Sequence, residues 1–337
     1  MYYSSIAAIE YFLPERTLTT VDLSTMFPEW SVEKIDKKTG INTRHVARDD
    51  ECASDLAFAA AQKLFASGAI DPSEIDFVLF CTQSPDYILP TTACLLQDRL
   101  NIPRSAGCLD YNLGCSGFVY GLGLADGLIA SQQARRILLL TADTYSKYLD
   151  SNDKNARTIF GDAAAATLIV AANLESPRIG PFVYGTDGKG GRHLILPNSG
   201  ARHDRCSESS PSTSRRPQHL SMNGPEIFAF ALETVPASVS ALLAKAGLSK
   251  EDVDLFVFHQ ANAYLLRELR HVLDLPEGKI PITLSHCGNT VSSTIPIALK
   301  HAELDGRLRS GAIVMVVGFG VGYSWAAAII WWTGLHQ

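Results

Sequence analysis

Ile70-Asp-Pro-Ser-Glu-Ile-Asp-Phe-Val-Leu-Phe-Cys81 and Leu248-Ser-Lys-Glu-Asp-Val-Asp-Leu-Phe-Val-Phe-His259 carry one pattern twice, 178 residues apart. Each copy follows a helical stretch, AFAAAQKLFASG in the first and SALLAKAG in the second. Each gives an acidic turn, an Ile-Asp or Val-Asp pair, and then an unbroken apolar run. Such a run, rich in β-branched and aromatic residues, reads as a strand buried on both faces. RRILLLTAD (135–143) and SGAIVMVVGFG (310–320) are further buried strands, and AAAATLIVAA (163–172) and SWAAAIIWW (324–332) close each copy with another. With helices alternating between the strands, the chain is predicted to be a duplicated α/β fold, layered helix, sheet, helix, sheet, helix. Two halves are expected, 1–175 and 176–337, meeting where AANLESPRIGP has turn chemistry.

Between the strands of the first half lies Asp110-Tyr-Asn-Leu-Gly-Cys115-Ser-Gly-Phe-Val-Tyr-Gly-Leu. A short strand and a glycine lead into Cys115, and a helix follows with Phe118, Leu122, Ala125 and Ile129 on one face. Cys115 is therefore expected on a tight strand-to-helix turn, like the nucleophile elbow of hydrolases with sulfur in place of oxygen. The helix N-terminus is expected to stabilise a thiolate and to offer N–H groups to an oxyanion. Gly114 and Gly117 are expected to allow a strained backbone and close approach of substrate.

The position that is Cys81 in the first copy of the repeat is His259 in the second, at the C-terminal end of a strand, where α/β folds place their chemistry. Asn289, in Ser285-His-Cys-Gly-Asn-Thr-Val-Ser-Ser-Thr-Ile-Pro296, fits two roles. It can cap the following helix, or its amide can donate to a carbonyl in a site. His286 and Cys287 have no third or fourth ligand at matching spacing, so no metal site is expected. Gly318-Phe-Gly-Val-Gly-Tyr-Ser-Trp325 opens no helix and is no dinucleotide fingerprint. It reads as a loop whose backbone N–H faces the nucleophile.

The bulk properties exclude several classes. With 46% hydrophobic and 19% charged residues and a net charge of −6, the chain has a globular composition and no polyanion-binding surface for nucleic acid. Seven Cys, an odd number without CxxC spacing, argue against a disulfide framework and for a reducing cytoplasm. The N-terminal MYYSSIAAIEYFLPER lacks the layout of a signal peptide. The longest apolar stretches fall short of a membrane span, so no membrane partner is expected. Residues 198–219 are polar and rich in Ser, Pro and Arg. They read as a long surface loop, either beside a substrate entrance or a solvated insertion.

In this order and spacing the motifs resemble the thiolase superfamily, and within it the β-ketoacyl-acyl-carrier-protein synthase III group. The likeness rests on Lys38-Thr-Gly-Ile-x-x-Arg-His45, Thr82-Gln-Ser-Pro-Asp-Tyr-x-x-Pro90, Gly114-Cys-Ser-Gly-Phe, Phe160-Gly-Asp162, Met222-Asn-Gly-Pro-Glu-Ile-Phe228, His259-Gln-Ala-Asn262, Gly288-Asn-Thr290 and the terminal glycine-rich run. It implies a thiolase-like duplicated fold and an acyltransferase that condenses an acyl-CoA with malonyl-acyl carrier protein in fatty-acid or related biosynthesis. A non-decarboxylating acyltransferase of a secondary-metabolite pathway is the alternative on this fold, and the intact Cys, His and Asn count against it. By resemblance Cys115 is the nucleophile, and His259 and Asn289 hold the thioester carbonyl. The N–H groups of Cys115 and Val321 form the oxyanion hole, with Val321 standing where the family usually has Gly. Trp30, Lys38, Lys147, Phe228, Asn262 and Arg267 are implied on the CoA or carrier side, Trp30 being equally readable as a surface-loop anchor. Leu89 takes the place of a Phe that reaches the acyl pocket from a partner subunit, which implies a homodimer and a longer or branched acyl group. Acyl-CoA enters as substrate, and no resident cofactor or metal is implied.

Overall fold

A computed structural model describes residues 2–173, 175–197, 199–201 and 219–333. The polar loop at 198–219 lies almost wholly outside the described residues, as does Cys206. The chain begins with β1 (Tyr2–Phe12), β2 (Thr17–Thr19), α1 (Thr20–Met26), α2 (Val32–Thr39) and β3 (Thr43–His45). It continues through α3 (Ala53–Ala66), β4 (Phe77–Cys81), α4 (Thr92–Arg99), β5 (Gly107–Tyr111) and α5 (Gly117–Ala130). Then come β6 (Arg136–Asp143), α6 (Lys154–Arg157), β7 (Ala163–Asn173), β8 (Ile179–Thr186), β9 (Leu194–Ile195) and β10 (Ser221–Met222). The last elements are α7 (Gly224–Ala246), β11 (Leu255–Phe258), α8 (Ala263–Leu273), α9 (Thr294–Leu304), β12 (Ile313–Gly320) and β13 (Ser324–Trp331).

The repeated apolar runs are β4 and β11, and they hold matching places in two sheets. One sheet has the order β1-β7-β6-β4-β5 and the other β8-β13-β12-β11. Reading along both, the first three pairings are antiparallel, antiparallel and parallel. The sequence repeat is thus a repeat of pairing. Only β5, parallel to β4, has no counterpart among the described residues.

Three apolar cores separate five layers. Leu56, Ala60 and Leu64 of α3 and Leu96 of α4 pack on the outer face of the first sheet. Val235, Val239 and Leu242 of α7 and Leu266 and Leu269 of α8 pack on the outer face of the second. Between the sheets lie α5 and α9, whose Phe118, Leu122, Ile129, Ile295 and Leu299 share one core with Leu139, Ile169, Val314 and Ala328. The stripe Phe118, Leu122, Ala125, Ile129 read from the sequence is buried throughout. Each large member contributes roughly 1.5–3 kcal/mol by leaving water. A layer shared in this way locks the two sheets together and holds both helix N-termini at one level.

One expectation is corrected. By length and composition the 23-residue α7 is long and apolar enough to cross a membrane. Isolated polar residues such as Glu233 and Thr234 broke up its strictly apolar runs in the sequence. Phe230, Ala231, Val235, Val239 and Leu242 are buried against the second sheet, the arrangement of a core helix.

Candidate active site

Cys115 follows β5 and stands one residue before Ser116, the N-cap of α5. It is buried, and burial together with the nearby Asp143 carboxyl pushes its thiol up to about 12. The expected thiolate stabilisation at the helix end is therefore outweighed by desolvation. At that value the thiol holds its proton at neutral pH. Gly114 and Gly117 also work differently from expectation, since neither lies in the left-handed region. A Cβ on Gly114 would lie 2.4 Å from Gln83 Oε1, and one on Gly117 would lie 2.3 Å from Cys81 Sγ. Their lack of a side chain lets the turn pack against the end of β4 and the residues that follow it. The close approach comes from the other sheet. A Cβ on Gly320 would lie 2.9 Å from Cys115 Sγ, and one on Gly318 would lie 2.7 Å from Cys115 O. Strand alternation puts residues 318 and 320 on one face, a signal already present in the Gly-x-Gly spacing. Val321 packs beside Cys115 in the same apolar cluster.

His259 continues β11, its N–H bonded to Val317 O at 2.8 Å. Burial holds the ring down to about 3, so it is a neutral imidazole. Its Nδ1 lies 2.8 Å from Thr294 Oγ1, and among the described residues Nε2 has no protein partner. Asn289 lies on a backbone bridge to Phe160, with its N–H donating to Ile159 O and its carbonyl accepting from Gly161 N. Its Oδ1 accepts from Val291 N at 2.9 Å. The N-cap of α9 is Ser293, so Asn289 is not that cap. Its Nδ2 has no protein partner among the described residues and remains a donor. Val291 makes the turn at φ 54°, a region costly for a β-branched side chain, and nothing in the sequence announced this.

Cys115, His259 and Asn289 line one chamber of about 110 Å³ with Phe160, Phe228 and Gly320. Met222, Gly224 and Asn262 also line a wider groove of about 940 Å³ that includes Trp30 and Lys38. A narrow chamber holding the reactive groups thus meets a broad outer groove, an arrangement suited to a long substrate arm.

Around that groove the implied binding residues divide. Trp30 is anchored by Leu23, Phe27 and Ile35 and also presents its ring to the groove. Lys38 lies 4.4 Å from the ring centroid, Lys34 5.2 Å and Lys154 5.8 Å. Lys154 was not singled out in the sequence, and its place beside Trp30 is seen only in the fold. Lys147 Nζ instead donates to the carbonyls of Arg48 and Asp49 at 3.1 and 2.9 Å and lines a separate cavity. Phe228 lines the chamber and stacks on Tyr264 at 5.5 Å. Asn262 lines both spaces while its side chain caps α8 through Leu265 N. Arg267 is exposed, reaches Lys37 O at 3.5 Å and lines neither space. Leu89 is 80% exposed between Ile88 and Pro90 and also lies outside both.

Buried carboxyls brace the chamber. Asp143, at the end of β6, accepts from Gln83 N at 2.8 Å, from Ser292 N at 3.2 Å and from the Ser292 hydroxyl. It thereby ties the end of β4 to the turn that carries Asn289, and burial raises it to about 7. Asp162 accepts from Ala47 N and from the N–H and hydroxyl of Ser146, and burial raises it to about 6. Among the described residues no group of three or more His, Cys, Asp or Glu is placed to hold a metal ion.

With this geometry in hand, comparison with known proteins gives a consistent picture. Residues 109–188 match the family model of 3-oxoacyl-[acyl-carrier-protein] synthase III, and residues 243–332 match that of its C-terminal part. A β-ketoacyl-[acyl-carrier-protein] synthase III of Syntrophomonas wolfei is 37% identical over 97% of each chain. A crystal structure of a 3-oxoacyl-(acyl-carrier-protein) synthase III is 50% identical, with a TM-score of 0.94 over 98% of this chain and 100% of that one. The priming β-ketosynthase of the R1128 polyketide pathway is 26% identical, with a TM-score of 0.89 over 99% of this chain and 97% of the other.

Proposed function

The chain belongs to the 3-oxoacyl-[acyl-carrier-protein] synthase III family of acyltransferases, and from that premise we propose that Cys115 carries an acyl group through a decarboxylative condensation. The observation that carries the reading is the single chamber lined by Cys115, His259 and Asn289, with His259 Nε2 and Asn289 Nδ2 left without a protein partner among the described residues. An acyl-CoA threads the groove past Trp30, Lys38 and Lys154. Cys115 Sγ attacks the thioester carbonyl, the carbon–sulfur bond to CoA breaks, and the thiol proton passes to the departing sulfur. The N–H groups of Cys115 and Val321 hold the oxyanion.

Malonyl-acyl carrier protein then enters by the same route. Its carboxylate leaves as CO₂, and the electron pair of the broken bond flows into the thioester carbonyl. His259 and Asn289 hold the resulting enolate oxygen. No general base is required, because CO₂ departure itself generates the carbanion. That carbon attacks the Cys115 thioester, gives a β-ketoacyl thioester and frees the thiolate, which is reprotonated. The enzyme works as a cytoplasmic homodimer of two-half subunits, 1–175 and 176–337. Exposed Leu89 reaches the partner's acyl pocket, and Phe228, Asn262 and Arg267 guide the carrier arm.

The test uses malonyl-carrier labelled in its free carboxyl. Incubation with acyl-CoA is expected to release labelled CO₂ and form β-ketoacyl-carrier. Product formed with retention of the label would sink the proposal.

A further inference from the structure

We infer that Thr294 is a positioning residue: its hydroxyl donates to Nδ1 of His259 and so fixes the Nε2–H tautomer that the condensation step uses. The inference rests on the reading of His259 as a donor to the enolate. A neutral imidazole has one N–H, and the partner of one ring nitrogen decides which of them holds it. Among the described residues the hydrogen-bond partner of Nδ1 is Thr294 Oγ1, at 2.8 Å. That hydroxyl has one proton and two acceptors in reach, Nδ1 at 2.8 Å and Val291 O at 3.1 Å.

The two assignments have opposite consequences for the chamber. With the proton on the carbonyl side, Nδ1 must carry the ring hydrogen. Nε2 then turns a lone pair toward the place where an enolate oxygen develops, beside the Asn289 amide. With the proton given to the nearer acceptor, Nε2–H and Asn289 Nδ2–H converge as two donors, the arrangement that stabilises an oxyanion. The burial that keeps the ring neutral removes the third option, an imidazolium with both hydrogens. A backbone carbonyl in place of Thr294 would force the wrong tautomer, whereas a hydroxyl permits the right one.

One turn serves both donors. Val291 N fixes the Asn289 amide by holding its Oδ1, and three residues later Thr294 opens α9 beneath the His259 ring. The left-handed backbone at Val291 is the bend that lets a single short segment address both side chains.

Thr294→Val keeps the volume and removes the hydroxyl. CO₂ release from malonyl-carrier is expected to fall roughly 10- to 100-fold. Acylation of Cys115 by acyl-CoA should stay within about twofold of wild type, since uneven loss across the two half-reactions marks an interaction confined to one of them. Long-range ¹H–¹⁵N correlation of histidine-labelled enzyme, with the His259 signals identified by their loss in His259→Gln, should report Nε2–H in the wild type and a tautomer mixture in Thr294→Val. Thr294→Ser should restore both rate and spectrum. A wild-type ring that is Nδ1–H, or a Thr294→Val enzyme that decarboxylates at the normal rate, would overturn the inference. If Thr294→Val does not fold, the wild-type spectrum decides by itself, Nε2–H supporting the assignment and Nδ1–H refuting it. If His259→Ala leaves CO₂ release unchanged while the wild-type ring is Nε2–H, the donor reading of His259 fails and the tautomer assignment stands.

Discussion

Where the first sheet continues past β4 into β5, the second stops at β11. In the first unit β5 delivers Cys115 to the start of α5 on a hydrogen-bonded strand. In the second, the matching stretch between α8 and α9 forms short turns and delivers Asn289 to the start of α9. Cys115 and Asn289 therefore each stand shortly before a central helix, two residues ahead of α5 and five ahead of α9. Cys81 and His259 are a second such pair, at the ends of β4 and β11. Cys81 is buried and gives its thiol hydrogen to Leu113 O at 2.8 Å. The matched strand ends thus carry a cysteine in one unit and a histidine in the other.

The largest test of that comparison sets Cys115 against Cys81. Cys115→Ala should abolish the acyl adduct seen by intact mass after incubation with acyl-CoA and lower condensation by several orders of magnitude. An adduct that persists and maps to Cys81 would reverse the roles given to the pair. Next come the donors of the second unit. Asn289→Ala and His259→Ala should each cut condensation about 10²- to 10³-fold while the Cys115 adduct still forms. Equal loss of adduct and product would mean that these residues serve the first unit's chemistry.

Gly320→Ala probes the contact between the units, since the new Cβ would lie 2.9 Å from Cys115 Sγ. Relieving it is expected to cost about 1–3 kcal/mol, read as slower Cys115 acylation with the His259 tautomer signals unchanged. Normal acylation would show that β12 yields freely.

A last test separates the units by pH. His259 is depressed from 6.5 to about 3, so its contribution to stability is complete above 6.5 and is lost as pH falls toward 3. Asp143 is raised from 3.8 to about 7, so its contribution is complete below 3.8 and is lost as pH rises through about 7. Between pH 4 and 6.5 the two slopes, each about 1.4 kcal/mol per pH unit, oppose one another. Relative to wild type, urea unfolding of Asp143→Asn should gain stability with rising pH in that window, and His259→Gln should lose it. Parallel slopes in the two variants would show that neither group titrates as assigned.

The layered duplicated fold was legible because buried strands and their repeat leave an apolar signature that survives divergence. Cys115 was legible because strand, glycine, cysteine and helix follow one another in sequence. Burial of its thiol was not, since desolvation depends on Gly320 and Phe160, which arrive from distant parts of the chain. The lysine nearest Trp30 after Lys38 and Lys34 was not legible, since Lys154 is distant from Trp30 in sequence. Only the path of the chain through α6 brings Lys154 to the ring. Nothing in the local sequence marks Thr294, whose contact with His259 spans 35 residues of chain.

The shared middle layer has a consequence for biogenesis. Phe118, Leu122 and Ile129 of α5 pack against Val314, Val316 and Ala328, residues made some 200 positions later. At ordinary elongation rates that interval is roughly 10–40 s. Throughout it the nascent first unit lacks the second-sheet residues that complete the core around α5.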